Sequence, residues 1–300
     1  MSARNIVVGS KQSGSKGPQL RVGLIGDPVA HSFSPRLQQP ALDALGIPAT
    51  YELWRTPAEQ LLVRIRALCQ QGCLGANVTI PYKESVLPLL DVVDPLAAQI
   101  GAVNTIVNRD DYLHGYNTDA PGLLRALHEH GLGSLQADGM ISLKGYTAVL
   151  LGAGGAARGA AFALASSGIE CLVILNRSLE RAQLLAALIQ KSYECPVFSL
   201  SDSNFLIPHS SSIIINATSV GLHEEASPLP ADVLARFNAD TFVYDMIYNP
   251  IQTNLLLQAR TMELRAANGL SMLLHQGALA FELWTNQPAP LEIMRAALMR

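Results

Sequence analysis

Residues 146–152 (YTAVLLG) are almost wholly apolar and run straight into Gly152-Ala153-Gly154-Gly155-Ala156-Ala157-Arg158-Gly159, which opens an Ala-rich helical segment closing at Gly168. A strand covered on both faces needs a continuous apolar run, whereas a half-exposed strand alternates. Glycines between such a strand and a helix permit a tight turn and leave bare backbone open to a ligand. Gly152 serves the turn, Gly154 the close approach, and Ala157 is the small residue where helix and strand pack. Free N–H groups at the helix start and the positive end of its dipole favour a diphosphate. The segment predicts a dinucleotide site on Gly152, Ala153, Gly154, Gly155 and Ala156. The bland alternative is a turn that only joins strand to helix.

The next strand, 170–176, ends in Asn176-Arg177-Ser178, with Arg181 one turn along the following helix. An acidic residue at this place would hold the ribose hydroxyls of NAD and repel an added phosphate. Two guanidiniums and a hydroxyl instead suit the 2′-phosphate of NADP. A solvated helix start is the competing explanation.

Elsewhere the chain alternates short apolar strands with helical stretches, which predicts an α/β fold with parallel sheets. Expected strands lie at 21–26, 51–55, 75–80, 146–152, 170–176, near 195–198, 212–217 and 241–245, with a hairpin around Arg109-Asp110-Asp111. Helices are expected at 34–46, 58–72, 84–91, 95–101, 118–131, 155–168, 178–191, near 250–260 and from 269 onward, with a linker over 132–145. Residues 1–20 are polar, lack the apolar core of a secretory signal, and are expected to be a disordered tail.

Composition narrows the function classes. At 300 residues the length suits two domains, and 49% hydrophobic against 15% charged residues excludes a largely disordered chain. A net charge of −3 gives no electrostatic footprint for nucleic acid or an anionic membrane. No apolar run approaches the ~20 residues of a membrane span. Cys69, Cys73, Cys171 and Cys195 are too few for a disulfide framework, no metal constellation is present, and a cytoplasmic protein is expected. No heptad or apolar edge encodes an oligomeric state, which leaves monomer and homodimer both open.

The first third carries polar residues at strand ends and loops. His31-Ser32-Phe33-Ser34-Pro35 places two hydroxyls at a helix start, which suits a carboxylate, although a plain serine cap is the simpler reading. Asn77-Val78-Thr79-Ile80-Pro81-Tyr82-Lys83 puts an amide and a hydroxyl on one side of a strand, followed by one of only five lysines. Ala102-Val103-Asn104-Thr105 and Tyr116-Asn117-Thr118-Asp119 add another amide and a carboxylate.

HSFSP, NVTIPYK, GAVNT, GYNTDAPG, GAGGAAR, NRS, NATSVG, YDMIYNP and NGLSMLLHQ occur in an order and at spacings that resemble the shikimate dehydrogenases over roughly residues 21–290. The resemblance implies NADPH-dependent reversible reduction of 3-dehydroshikimate to shikimate. It implies Lys83 and Asp119 as the catalytic pair, and Ser32, Ser34 and Tyr248 at the substrate carboxylate. Asn77, Thr79, Asn104 and Gln276 would meet ring hydroxyls, while Thr218, Met246 and Gly269 would join the nicotinamide end. It further implies a substrate domain of 21–119 plus 269–300 and a Rossmann-like NADP domain of 120–268, with the C-terminal helices returning to the first domain. His31, His114 and His275 are read as structural or surface residues.

The nearest rival is a quinate-oxidising relative using NAD. By the resemblance, a threonine in place of the second serine of HSFSP would accompany that preference, and this chain has Ser34. A non-catalytic sensor should have lost Lys83 or Asp119, and both are present.

Overall fold

The computed structural model describes residues 20–202 and 212–300. The expected tail therefore lies outside the described residues except for Leu20, which opens the first strand instead of ending the tail.

The N-terminal series comprises β1 (Leu20–Gly26), α1 (Ser34–Ala44), β2 (Ala49–Arg55), α2 (Leu61–Arg66), β3 (Cys73–Val78), β4 (Val92–Val93), α3 (Pro95–Ile100), β5 (Thr105–Arg109) and β6 (Tyr112–Tyr116). Its strands form one mixed sheet in the order β2-β1-β3-β5-β6-β4. β1 runs parallel to β2 and β3, and β4 parallel to β6, while the hairpin β5–β6 makes the antiparallel pairings. The expected helix over 84–91 is only a short 3₁₀ turn, Leu87–Leu89. Pro88 removes the amide that an α-helix would need there. The helix expected over 58–72 likewise shrinks to α2 between two 3₁₀ turns.

Then follow α4 (Asp119–Glu129), β7 (Ser134–Leu135), β8 (Ile141–Ser142), β9 (Thr147–Leu151), α5 (Gly155–Ser166), β10 (Cys171–Leu175), α6 (Leu179–Gln190), β11 (Val197–Leu200), β12 (Ser212–Asn216), α7 (Ala231–Leu234), β13 (Phe242–Asp245), α8 (Asn254–Thr261), β14 (Arg265–Asn268), α9 (Leu270–Thr285) and α10 (Leu291–Leu298). The expected linker over 132–145 holds the small hairpin β7–β8. The larger strands make a second, fully parallel sheet in the order β11-β10-β9-β12-β13-β14. Within this half the order reads third, second, first, fourth, fifth, sixth, the doubly wound arrangement of Rossmann domains. β9 and β12 flank the point where the order reverses, so their carboxyl ends open the crevice where ligands bind in such sheets. Every residue of β9 and of β12 is buried, as their apolar runs require.

α9 ties the two halves together. Leu274, Ala278, Phe281 and Trp284 pack with Val22, Leu24, Leu37 and Tyr51 of the first sheet and its helix. Trp284 Nε1 donates to the Ile106 carbonyl at 2.9 Å. α4 crosses α9 closely at Gly122, where a Cβ would lie 2.8 Å from the Gln276 side chain and 2.9 Å from its amide.

Candidate active site

The carboxyl end of β9 carries the glycine turn. Gly152 has φ +110°, a region L side chains rarely adopt, and a Cβ there would meet Thr218 Cγ2 at 3.0 Å and the Ala217 carbonyl carbon at 3.3 Å. The turn after β9 and the turn after β12 thus press against each other at the reversal point. Gly154, Gly155 and Ala156 are exposed, and Ala153 is half-buried. Gly154 caps α5 without a side-chain bond, and nothing stands within 4 Å of where its Cβ would be. The helix's first amides therefore have no side-chain cap, and the exposed glycines leave bare backbone beside them, which fits a diphosphate.

At the end of β10, Asn176 Nδ2 donates to the Ser178 carbonyl at 2.8 Å, and Ser178 caps α6 by accepting from the Arg181 amide. Arg177 and Arg181 are exposed, and neither makes an ion pair among the described residues. Two uncommitted guanidiniums beside the ribose position fit a phosphate.

The turns after β12 and β13 are held by a buried carboxylate. Asp245 accepts from Thr253 Oγ1 at 2.6 Å, Asn216 Nδ2 at 2.9 Å and the Ile247 amide at 3.0 Å. Burial pushes its pKa above the ordinary carboxylate value, and those donors oppose the shift. Asn216 Oδ1 in turn accepts from the amide and hydroxyl of Thr218. The Met246 amide donates to the Asn216 carbonyl, and Gly269 lies so close to Met246 that a Cβ would strike its carbonyl oxygen. Thr218, Met246 and Gly269 therefore belong to one knot of backbone.

Across the crevice, polar side chains converge from β3, β5, the turn before α4, and α9. Lys83 Nζ lies 2.6 Å from Asp119 Oδ2, with about a fifth of each side chain exposed (22% and 17%). Asp119 is the first residue of α4, and Thr118 rather than Asp119 stands at the cap position. Asn104 Nδ2 donates to Asp119 Oδ1 at 2.8 Å and to Thr118 Oγ1 at 2.9 Å, and reaches Gln276 Oε1 at 3.4 Å. Lys83 lies in a turn rather than in the helix expected there, and its carbonyl accepts from the Val103 amide at 2.8 Å. Asn77 is buried beside this group, while Thr79 just beyond β3 is half-buried and bonds the Ile25 carbonyl through its amide.

Ser32 and Ser34 form the other end. Ser32 Oγ donates to Ser34 Oγ at 3.0 Å and accepts from the Ser34 amide at 3.2 Å. Neither caps α1, whose cap residue is Phe33 with no side-chain bond. Tyr248 stacks obliquely on Phe33, with ring centroids 5.3 Å apart. Burial raises the Tyr248 phenol, opposed by bonds with Phe33 and Ser32. Hydrogen bonds thus join Lys83, Asp119, Asn104 and Gln276 in one group, with Asn77 tied to it through Asn104 and Thr105, while Ser32 and Ser34 form a second group with Tyr248 against Phe33.

Tyr51 is a member of this group that the sequence did not single out. Its hydroxyl donates to Asn77 Oδ1 at 2.8 Å, and burial is the main cause that raises its phenol. The available signal was weak: an aromatic on a strand with no adjacent motif. Of the three histidines, His31 is exposed and His114 half-buried, but His275 is buried, with Nε2 2.6 Å from Glu129 Oε2. No cluster of three or more His, Cys, Asp or Glu suited to a metal occurs among the described residues. No helix there is long and apolar enough to cross a membrane.

A doubly wound sheet with an open glycine turn, whose helix brings Gly159 beside Asp119 of a lysine–carboxylate pair, defines a two-domain nicotinamide-dinucleotide oxidoreductase. Family models for the shikimate dehydrogenase substrate-binding domain, shikimate/quinate 5-dehydrogenase and the shikimate 5′-dehydrogenase C-terminal domain match residues 24–106, 134–223 and 269–299. The shikimate dehydrogenase (NADP(+)) of Moorella thermoacetica is 44% identical over 282 residues, 92% of each chain. Shikimate 5-dehydrogenase from Thermus thermophilus, solved with NADP(H) and shikimate, is 39% identical with a TM-score of 0.80, over 94% of this chain and 99% of that one. A quinate dehydrogenase from Corynebacterium glutamicum, solved with NAD, is 29% identical with a TM-score of 0.82, over 94% of this chain and 99% of that one. The chain belongs to the shikimate dehydrogenase family.

Proposed function

We propose that this protein catalyses the reversible NADPH-dependent reduction of 3-dehydroshikimate to shikimate, a step of aromatic amino-acid biosynthesis. The observation that carries the reading is the Lys83–Asp119 pair at 2.6 Å, tied through Asn104 to Gln276, with Asp119 beside Gly159 of the helix that the glycine turn opens.

Lys83 and Asp119 are the catalytic pair. Reducing the ketone creates negative charge on its oxygen, and a cationic donor beside it lowers the barrier and delivers the proton. Asp119 holds the ammonium in place by its ion pair. Bound NADPH supplies the hydride. Ser32, Ser34 and Tyr248 bind the substrate carboxylate, and Asn77, Thr79, Asn104 and Gln276 bind ring hydroxyls. Gly152, Ala153, Gly154, Gly155 and Ala156 cradle the diphosphate, Asn176, Arg177, Ser178 and Arg181 hold the adenosine phosphate, and Thr218, Met246 and Gly269 border the nicotinamide.

The substrate domain comprises residues 21–119 with 269–300, and residues 120–268 form the NADP domain. The separate sheets support this division, as does the packing of α9 on the first sheet. A homodimer is not required, because every proposed site residue comes from one chain. The four free cysteines and the use of NADPH support a cytoplasmic enzyme.

Crossing shikimate and quinate against NADP⁺ and NAD⁺ in initial-rate assays tests the reading. A dominant shikimate–NADP⁺ rate is expected. A dominant quinate or NAD⁺ rate would move the enzyme to a catabolic role, and no rate with retained shikimate binding would make it a sensor.

A further inference from the structure

The polar side chains of the substrate half form one chain of hydrogen bonds with a single direction. Asp119 can only accept, so Asn104 Nδ2 must donate to it, at 2.8 Å. Asn104 Oδ1 therefore accepts, from the Thr118 amide at 2.7 Å and from Thr105 Oγ1 at 3.2 Å. The Thr105 hydroxyl, having given its proton, accepts from Asn77 Nδ2 at 3.2 Å, and the same amide group reaches the Asn104 carbonyl at 3.3 Å. Both amide protons of Asn77 are thereby used. Its oxygen faces Tyr51, whose hydroxyl donates at 2.8 Å. Behind Tyr51 stands Ser34, whose hydroxyl draws the phenol's pKa down against burial and accepts from Ser32.

Tyr51 is buried, with 7% of its surface exposed, and its ring packs obliquely on Trp284 at 6.2 Å between centroids. It has little room to turn away, and it is the link between the two serines and the amides near Lys83. We propose that the Tyr51 hydroxyl is a positioning group for the substrate: it fixes the Asn77 amide so that only the oxygen is offered to a ring hydroxyl, and it joins that choice to the serines. This rests on the shikimate reading of the site given above. Asn77 then selects a substrate hydroxyl that donates. An unfixed amide would present either end and lose that preference.

A double-mutant cycle on the full-length enzyme with shikimate and saturating NADP⁺ tests this. Tyr51→Phe is expected to raise KM for shikimate about tenfold, as loss of one buried hydrogen bond does, while kcat falls less than about threefold and KM for NADP⁺ stays unchanged. Because Tyr51 acts through Asn77, adding Tyr51→Phe to Asn77→Ala should cost little beyond Asn77→Ala alone. Additive losses, an unchanged KM in Tyr51→Phe, or a fall confined to kcat would overturn the proposal. If Tyr51→Phe does not fold, Thr105→Val removes the bond on the other side of the same amide and is expected to give the same KM-selective loss; a Thr105→Val enzyme with wild-type KM would likewise overturn it. A wild-type enzyme inert towards shikimate would instead sink the shikimate reading, which separates the two failures.

Discussion

The two walls of the crevice are made differently. The proposed cofactor wall is built from main chain: the φ +110° turn at Gly152, the uncapped start of α5 and the close approach of Gly269 to Met246. The proposed substrate wall is built from side chains that already bond one another, Ser32 with Ser34, and Tyr51 through Asn77, Thr105 and Asn104 to Asp119. Main chain recognises what every dinucleotide shares, a diphosphate, and leaves discrimination to a few guanidiniums at the strand end. Side chains recognise one molecule, and they stay in place before it arrives because each is held by its neighbours. The first wall should tolerate loss of most side chains. The second should lose function whenever one is removed.

The sharpest test of that contrast is Lys83→Ala, expected to lower kcat about 10²–10⁴-fold with little change in KM for shikimate. A loss confined to KM would make Lys83 a mere binding group. Arg177→Ala probes the strand-end exception on the cofactor wall: the dissociation constant for NADP⁺ should rise about tenfold to a hundredfold, with NAD⁺ unaffected. Equal weakening of both cofactors, measured by titration, would assign Arg177 a structural part only. Gly154→Ala adds a methyl where nothing stands within 4 Å, so melting temperature should not move. NADP⁺ affinity should nevertheless drop about tenfold, because the methyl occupies the diphosphate's approach. An unaltered affinity would show that the turn does not hold the cofactor by close approach.

The smallest effect is expected at the seam between the walls. His130 and His275 join α4 to α9, through Ser271 at 3.1 Å and Glu129 at 2.6 Å. Burial lowers the pKa of both imidazoles, with Glu129 opposing. The folded protein then binds fewer protons than the unfolded chain, so stability is complete above the ordinary histidine value of about 6.5 and declines as the pH falls below it. Melting temperature should fall between pH 7.5 and 5.5, less steeply in His275→Gln. Identical slopes would remove His275 from the account.

The same difference governed what the sequence could disclose. β9, the glycine turn and α5 were legible because burial on both faces demands an unbroken apolar run, and a backbone site demands glycine. β14 escaped notice because Arg265–Asn268 is exposed or half-buried throughout, which leaves no apolar signature at an edge. The helix expected over 84–91 failed at Pro88, whose cost outweighed the favourable leucines around it. On the substrate wall the motif residues were legible as a set, but not their bonds. Tyr51 lies 26 positions from Asn77, and only the pairing of β2, β1 and β3 brings them together.

Trp284, whose ring nitrogen bonds Ile106, is separated from it by 178 residues of chain. During synthesis the amino-terminal sheet therefore emerges from the ribosome long before the helix that covers it. Its apolar face, including Val22, Leu24 and Tyr51, is covered only in part by α1 while the whole second sheet is made. The second sheet is thus the first able to complete its fold, and the nascent enzyme is most exposed to aggregation or to chaperones until α9 has left the tunnel.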